Sequence, residues 1–193
     1  GVCGSDIEYY RHFKCGAFVP KEPFVLAHEF SGIVEEVGAG VEKVPIGARA
    51  AAEPSIPCGR CSYCLEGRYN LCENMRFYGS ASAYPHLDGS FREYVPVPVG
   101  NLYLVPDHLD ATDGALLEPL AVAVHALRRA RPIDDVSILI TGGGTVGQLV
   151  AMTARAIGAR RVTVSDPVPV RREFAADHGA DAVIDPARDD VLE

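Results

Sequence analysis

The stretch VSILITGGGTVGQLVAMTARAIGARRVTVSD, residues 136–166, places a glycine-rich turn and a helical pattern between two apolar runs. Each apolar run predicts a buried strand, and the residues after the glycines predict a helix. A further helix in PVRREFAADHGA, residues 169–180, and a further strand in DAVID, residues 181–185, continue the alternation. Strands that alternate with helices predict a parallel sheet with crossover helices.

The glycines of this turn have the spacing of a dinucleotide-binding site. Gly142, Gly144 and Gly147 follow an apolar strand and open a helix, whose free N–H groups can bind a pyrophosphate. Asp166 lies 19 residues after Gly147, where its carboxylate can accept from both ribose hydroxyls. That carboxylate repels a 2′-phosphate and favours NAD over NADP, although the arginines that follow could soften the preference. The alternative is an ordinary strand-turn-helix. The expected cofactor contacts are Gly142, Gly144, Val146, Gly147, Asp166 and Arg171.

The first part of the chain has a different character. Residues 1–112 are rich in Pro, Gly and aromatic residues, with short β-like runs in FSGIVEEVG, residues 30–38, and FREYVPVPV, residues 91–99. This pattern predicts a β-rich, loop-rich domain. From residue 113 a helical pattern leads into the glycine turn, so the second domain is expected to span 113–193.

Four of the six cysteines lie in PCGRCSYCLEGRYNLC, residues 57–72. Cys58, Cys61, Cys64 and Cys72 are typical of a structural zinc site, in which four thiolates fill the tetrahedral shell and leave no position for a substrate. An iron–sulfur cluster and a reversible disulfide are the alternatives. We expect a zinc lobe over about 57–73.

The overall charge limits the partners. The formal net charge is −8 and the pI is near 5.2, which disfavours a nucleic-acid partner. No run of about 18 apolar residues predicts a membrane span. Neither a secretory leader nor an initiator Met is seen, so we expect a cytoplasmic protein of which this chain is a part.

A second group of metal ligands lies near the start. CGSD, residues 3–6, contains Cys3 and Ser5, and LAHEFSGIVEEVGAGV, residues 26–41, contains His28 and Glu29. A cysteine, a histidine and a carboxylate can hold a catalytic zinc and leave a fourth position open. Taken singly, His28 could be a structural histidine and Cys3 a small buried residue.

Together these motifs resemble the zinc-dependent medium-chain alcohol and polyol dehydrogenases. The zinc signature of that family, G-H-E-x2-G-x5-G-x2-V, is similar to AHEFSGIVEEVGAGV, residues 27–41, with Ala27 in place of the first glycine. The resemblance implies an α/β multidomain fold, with a GroES-like β-rich catalytic domain and a Rossmann domain, both truncated in this chain. It also implies an active site in the cleft, two zinc ions per chain, and a homo-oligomer, either a tetramer or a dimer.

Within the family the chain resembles the sorbitol, xylitol and L-idonate enzymes. EPLAVAVHAL, residues 118–127, carries Glu118, which polyol members place beside the zinc and its water, and residues 75–94 look most like the L-idonate 5-dehydrogenases. By the same resemblance, Tyr9 and Phe91 face the substrate along with Glu118. The chain departs from many relatives at Glu8, where they have a histidine that assists proton transfer. The candidates for binding a substrate carboxylate are His86 and Arg92.

The resemblance implies a reversible, NAD-linked oxidation of a secondary alcohol, with L-idonate to 5-keto-D-gluconate as the expected reaction. Cys3 and His28 would bind the zinc, Glu29 or Glu118 would complete its shell directly or through water, and Ser5 would receive the proton. Sorbitol, xylitol and threonine dehydrogenases are the alternatives within the family. A zinc-ribbon, nucleotide-binding module without turnover is the alternative of a different class.

Overall fold

The computed structural model describes residues 1–130 and 133–189, which divide into two units. The first runs from Gly1 to Glu118 and the second begins at Pro119. The sequence predicted the division between residues 112 and 113, where the composition changes. The structural division lies six residues later, and both positions fall within the helix Ala111–Arg129. Within the described residues, no helix is both long enough and apolar enough to span a bilayer.

The first unit is made of short elements joined by long loops. Its helices and strands are α1 (Gly4–His12), β1 (Ser31–Ile33), β2 (Arg49–Ala52), β3 (Ser55–Ile56), α2 (Ser62–Leu65), β4 (Arg76–Phe77), β5 (Leu102–Leu104) and the start of α3 (Ala111–Arg129). Single 3₁₀ turns lie at Tyr69–Leu71 and Val99–Asn101. The strands form an antiparallel sheet in the order β1-β2-β5 and an antiparallel pair β3-β4.

One predicted β-like run was wrong. Residues 91–99 contain no strand, although the sequence alternates there. Pro96 and Pro98 have no backbone N–H to donate to a ladder, which explains why this run is a loop. Strand β2 pairs with β1 on one edge and with β5 on the other, and β5 begins after the 3₁₀ turn at Val99–Asn101.

The second unit has the predicted alternation. It contains β6 (Ser137–Thr141), α4 (Thr145–Ala156), β7 (Arg161–Ser165), α5 (Pro169–Asp177) and β8 (Ala182–Ile184). The three strands are parallel in the order β6-β7-β8, as the strand-helix pattern predicted. Apolar side chains from these elements, from the end of α3 and from two loops form its core, which consists of Leu127, Ile133, Ile140, Ala151, Ala154, Ala159, Val162, Val164 and Ala175.

The register of the parallel sheet determines where the glycine turn and Asp166 lie. Thr141 at the end of β6 lies opposite Ser165 at the end of β7. Gly142 and Asp166, which follow these strands, therefore lie at the same carboxyl edge of the sheet. Ligands of open parallel sheets bind at this edge.

Candidate functional site

Three predicted ligands of a catalytic metal lie together in the first unit. Cys3 immediately precedes α1, whereas His28 and Glu29 lie in the loop before β1. One ligand atom from each of these residues lies within 4.8 Å of the other two. Zinc holds thiolate and imidazole ligands at about 2.0–2.3 Å, which allows separations of this size. The Nδ1 atom of His28 is buried and has no hydrogen-bond partner among the described residues. The three residues therefore fit a zinc ion.

Cys3 and His28 influence each other's protonation. A hydrogen bond with His28 lowers the pKa of the Cys3 thiol, and hydrogen bonds with Ser5 lower it further against the effect of burial. Burial alone would lower the pKa of His28, but the hydrogen bond and charge of Cys3 and the charge of Glu118 raise it overall. The site therefore favours a thiolate at Cys3, which is the form that binds metal.

The two carboxylates that the sequence left as alternatives have different positions. In the described part of the chain, Glu29 supplies the third atom of the ligand group and Glu118 lies outside it. Burial raises the pKa of Glu118, and the charge of Glu29 raises it further, while His28 acts in the opposite direction. Glu118 is thus a half-buried carboxyl whose pKa is shifted by the charges of both His28 and Glu29.

Asp6 is a buried carboxylate that the sequence analysis did not single out. Its Oδ2 accepts from the backbone N–H of Cys3 at 2.9 Å, and its Oδ1 accepts from the N–H of Ala27 at 3.0 Å. One side chain therefore joins the two segments that carry Cys3 and His28. The acidic residue three positions after the helix cap was the available signal for the first bond, but the second spans 21 residues and has no local signal.

Phe77 is a second neighbour that the sequence analysis missed. Its ring packs edge-on against His28 with centroids 5.2 Å apart. Phe91, the aromatic residue expected near the substrate, has a side chain that is 53% exposed, and its backbone N–H donates to Leu26. Tyr9 is buried and its hydroxyl accepts from the N–H of Ala81 at 3.0 Å. Substrate contact by Tyr9 and Phe91 stays a prediction.

The residues considered for a substrate carboxylate are already engaged. The Nε2 of His86 accepts from the backbone N–H of Lys21 at 2.9 Å, and its Nδ1 lies 2.8 Å from the carbonyl oxygen of Ala83. The guanidinium of Arg92 lies 3.8 Å from the carboxylate of Asp88. These contacts give both side chains a local partner within the first unit.

The four clustered thiols form a compact group. One sulfur from each of Cys58, Cys61, Cys64 and Cys72 lies within 4.8 Å of the others, and none is in a disulfide. Backbone N–H groups of Arg60 and Cys61 lower the pKa of Cys58 to about 6. Burial and the neighbouring thiols raise the pKa of Cys64 to about 12. The four sulfur atoms lie close enough to share one cation, and a zinc ion with four thiolate ligands fits this group.

The glycine turn of the second unit has the shape of a phosphate site. Gly142 has a φ of +99°, which favours glycine. A Cβ at Gly147 would overlap the carbonyl oxygen of Gly142, whereas a Cβ at Gly144 would meet nothing within 4 Å. Gly147 thus packs tightly against Gly142, whereas the space beside Gly144 leaves room for a ligand. Helix α4 begins at Thr145 and directs its first N–H groups to this opening, next to the half-exposed Val146.

Asp166 is buried against the same turn, with a side chain that is 2% exposed. Its Oδ2 accepts from the N–H of Gly143 at 2.8 Å and its Oδ1 accepts from the N–H of Val168 at 2.7 Å. Burial would raise the pKa of this carboxyl, but the two N–H groups and the Arg171 guanidinium 3.5 Å away lower it overall. Asp166 is therefore ionised and bound to the main chain, and its contact with a ribose stays a prediction.

Comparison with known proteins identifies relatives for both units. Residues 1–107 match the alcohol dehydrogenase GroES-like domain, and residues 145–193 match the zinc-binding dehydrogenase family. The chain is 43% identical over 188 residues to a probable D-xylulose reductase A of Aspergillus clavatus, covering 97% of this chain and 51% of the relative. The chain thus spans about half the length of the curated relatives it matches.

Two solved structures are also similar. The crystal structure of L-idonate 5-dehydrogenase from Escherichia coli K-12 has a TM-score of 0.94 at 37% identity, covering 100% of this chain and 55% of that one. A zinc-binding dehydrogenase from Sinorhizobium meliloti 1021, solved with NADP bound, has a TM-score of 0.89 at 40% identity, covering 100% of this chain and 54% of that one.

Proposed function

Because the chain belongs to the zinc-dependent medium-chain alcohol and polyol dehydrogenase family, we propose that the protein oxidises a secondary alcohol of a polyol or sugar acid and reduces a nicotinamide dinucleotide. The observation that carries the proposal is the group formed by Cys3, His28 and Glu29. The glycine turn in the second unit supports it, since this reaction needs a hydride acceptor. A nucleotide-binding module without turnover would need the four-thiol zinc and not this second ligand group.

The three candidate metal ligands and two of their neighbours have distinct roles in the proposed reaction. Zinc, when bound, supplies a Lewis acid that lowers the pKa of a coordinated hydroxyl. Cys3, His28 and Glu29 would hold the ion. The Ser5 hydroxyl, which hydrogen-bonds Cys3, would receive the proton of the substrate alcohol and pass it on towards the ribose and solvent. Phe77 covers one side of His28 and keeps water from that side of the site.

The proposed hydride acceptor is NAD, with NADP as a second possibility. The ionised Asp166 opposes a 2′-phosphate, and the nearby Arg171 favours one because its guanidinium is 53% exposed. The relative from S. meliloti was solved with NADP, which supports the second possibility. Two zinc ions per chain and a dimer or tetramer complete the proposal.

L-idonate is the substrate that we favour, and a polyol is the second candidate. The segment 75–94 and the E. coli relative, named L-idonate 5-dehydrogenase, support the sugar acid. The A. clavatus relative, named D-xylulose reductase, supports a polyol such as xylitol. The two candidates differ by a carboxylate, so a direct comparison of rates separates them.

The first test compares initial rates of NADH formation by the full-length protein with L-idonate, xylitol and sorbitol. We expect the highest rate with L-idonate, whereas a higher rate with xylitol would replace the sugar acid by the polyol. His28→Ala should lower kcat by about 10³-fold or more, because the Lewis acid contributes several kcal/mol.

The binding of NADH and the content of the four-thiol zinc should stay unchanged in His28→Ala. His178→Ala is the matched control, because His178 is an exposed histidine that stacks on Phe174 in the second unit. Activity that survives in His28→Ala would refute the assignment of the catalytic metal site.

A further inference from the structure

Gln148 is a buried polar residue that the proposed reaction does not use. It follows the third glycine of the turn and is 9% exposed. Its Nε2 donates to the carbonyl oxygens of Gly143 at 2.9 Å and of Arg171 at 2.8 Å. Since both partners are acceptors, the amide nitrogen must face them. The side chain therefore connects the glycine turn to the segment that follows Asp166.

Both peptide groups that flank Gly143 are held by a buried side chain. Its N–H donates to Asp166 and its carbonyl accepts from Gln148. A Cβ at this position would lie 3.3 Å from the Cβ of Asp166 and 3.3 Å from the Nε2 of Gln148. Rotation of the peptide before Gly143 would break the bond to Asp166, and rotation of the peptide after it would break the bond from Gln148.

Asp166 and Gln148 also fix the same second segment. Asp166 holds the N–H of Val168 and lies beside the Arg171 guanidinium. Gln148 holds the main-chain carbonyl of Arg171. Two independent side chains thus connect the turn, where phosphates would bind, to residues 166–171, where a ribose would bind.

We propose that Gln148 is a positioning residue for the dinucleotide. It holds the glycine turn and residues 166–171 in a fixed position relative to each other before the cofactor binds. The inference rests on the proposed function, since it concerns the same dinucleotide site. Gln148 acts through Gly143 and Arg171 and needs no contact with the cofactor. Segments that are ordered in advance bind more tightly, because binding then carries less of the ordering cost.

The test uses Gln148→Met, which keeps the size of the side chain and removes both donated bonds. Loss of two hydrogen bonds should raise the Kd of NADH in a fluorescence titration by about 5- to 30-fold. The KM for NAD should rise in parallel, with kcat at saturating NAD changed by less than about twofold. Met152→Ala, at an exposed position of the same helix, should leave all three quantities unchanged.

Amide hydrogen exchange of the cofactor-free protein gives a readout that does not depend on activity. In Gln148→Met, exchange at Gly143 and Val168 should become about tenfold faster, since freedom at the turn loosens their bonds to Asp166. The amides of β6 and β7 should keep their protection. If the Met variant does not fold, Gln148→Asn, which is polar but too short to reach both carbonyls, takes its place.

Three outcomes are informative. An unchanged Kd together with unchanged exchange would overturn the proposal. Loss of protection throughout β6 and β7 would also overturn it, because Gln148 would then be a general packing residue. If the wild-type protein oxidises no alcohol but the Kd and the local exchange respond as expected, the proposed reaction fails and the positioning role stands.

Discussion

Ala27, next to the ligand His28, combines complete burial with an unfavourable backbone conformation. It is 0% exposed and has a φ of +79°, and it occupies the first position of the zinc signature, where the resembling family has glycine. Asp6 accepts its N–H and Ser90 donates to its carbonyl. A Cβ at Gly89 would overlap that carbonyl. The surroundings thus hold a non-glycine residue in a region that costs about 1–2 kcal/mol.

Substitution at Ala27 should reveal this strain. Ala27→Gly should change the free energy of unfolding by less than about 1 kcal/mol, because relief of strain offsets the greater freedom of the unfolded chain. Ala123→Gly is the matched control at a position that is also 0% exposed, inside α3, and should cost about 1 kcal/mol or more. Denaturant unfolding of both variants measures the difference. A larger loss of unfolding free energy for Ala27→Gly than for Ala123→Gly would refute the inferred strain at Ala27.

The sequence predicted the residues with distinctive chemistry better than those that support them. Cys3, His28 and Glu29 belong to recognisable motifs, and the structure brings their ligand atoms together. Asp6 and Phe77 support the same site through contacts with residues far along the chain. A single sequence carries no local signal for such contacts, because they arise only once the loops have packed.

The zinc lobe has little regular structure and few buried residues of its own. Its regular structure consists of α2, with four residues, and one 3₁₀ turn of three. Apart from the four cysteines, no residue from 57 to 73 is buried. Isolated helices of this length are unstable in water. We therefore expect the lobe to depend on a bound ion for its fold.

Cys61→Ser should remove one zinc ion per chain and the amide protection of residues 57–73. Cys15→Ser is the matched control, because Cys15 is a half-buried cysteine outside both ligand groups. Atomic emission measures the zinc content per chain, and hydrogen exchange measures the amide protection of the lobe. A Cys61→Ser protein that still binds two zinc ions and keeps an ordered lobe would contradict the structural role.

Element prediction succeeded where hydrophobic periodicity was strong. The strands and helices of the second unit follow apolar runs and a glycine turn, and they have the parallel order that the pattern predicted. In the first unit the strands have two to four residues. Runs as short as these have too few alternating positions to separate a strand from an extended loop.

At the scale of the whole molecule, each unit has its own buried residues. The first contains Ala50, Ala51, Ala52, Tyr78 and Val105 among others, and the second contains the apolar cluster around Val162 and Val164. Both candidate metal groups belong to the first unit, whereas the glycine turn belongs to the second. Metal and dinucleotide should therefore stabilise different parts of the chain.

Removal of zinc and addition of NADH should act on different peptides in hydrogen exchange. A chelator should increase exchange in the first unit, above all in residues 57–73, and leave β6, β7 and β8 protected. NADH at about 100 times its Kd should stabilise the glycine turn and its neighbours by up to about 2.7 kcal/mol. AMP, which lacks the nicotinamide half, is the control ligand. Equal loss of protection in both units after chelation would contradict the expectation.

The two backbone bonds of Asp166 have a consequence for how this protein can evolve. A lineage that exchanged this carboxylate to admit another dinucleotide would also release the amides of Gly143 and Val168. Under the proposed role of Asp166, ligand preference and the shape of the turn are inherited as one trait, and selection on either constrains the other. Arg171 is freer to vary, because its side chain is half exposed and its bond to Gln148 uses only the main chain. A gradual drift in coenzyme choice would therefore begin at residue 171 rather than at residue 166.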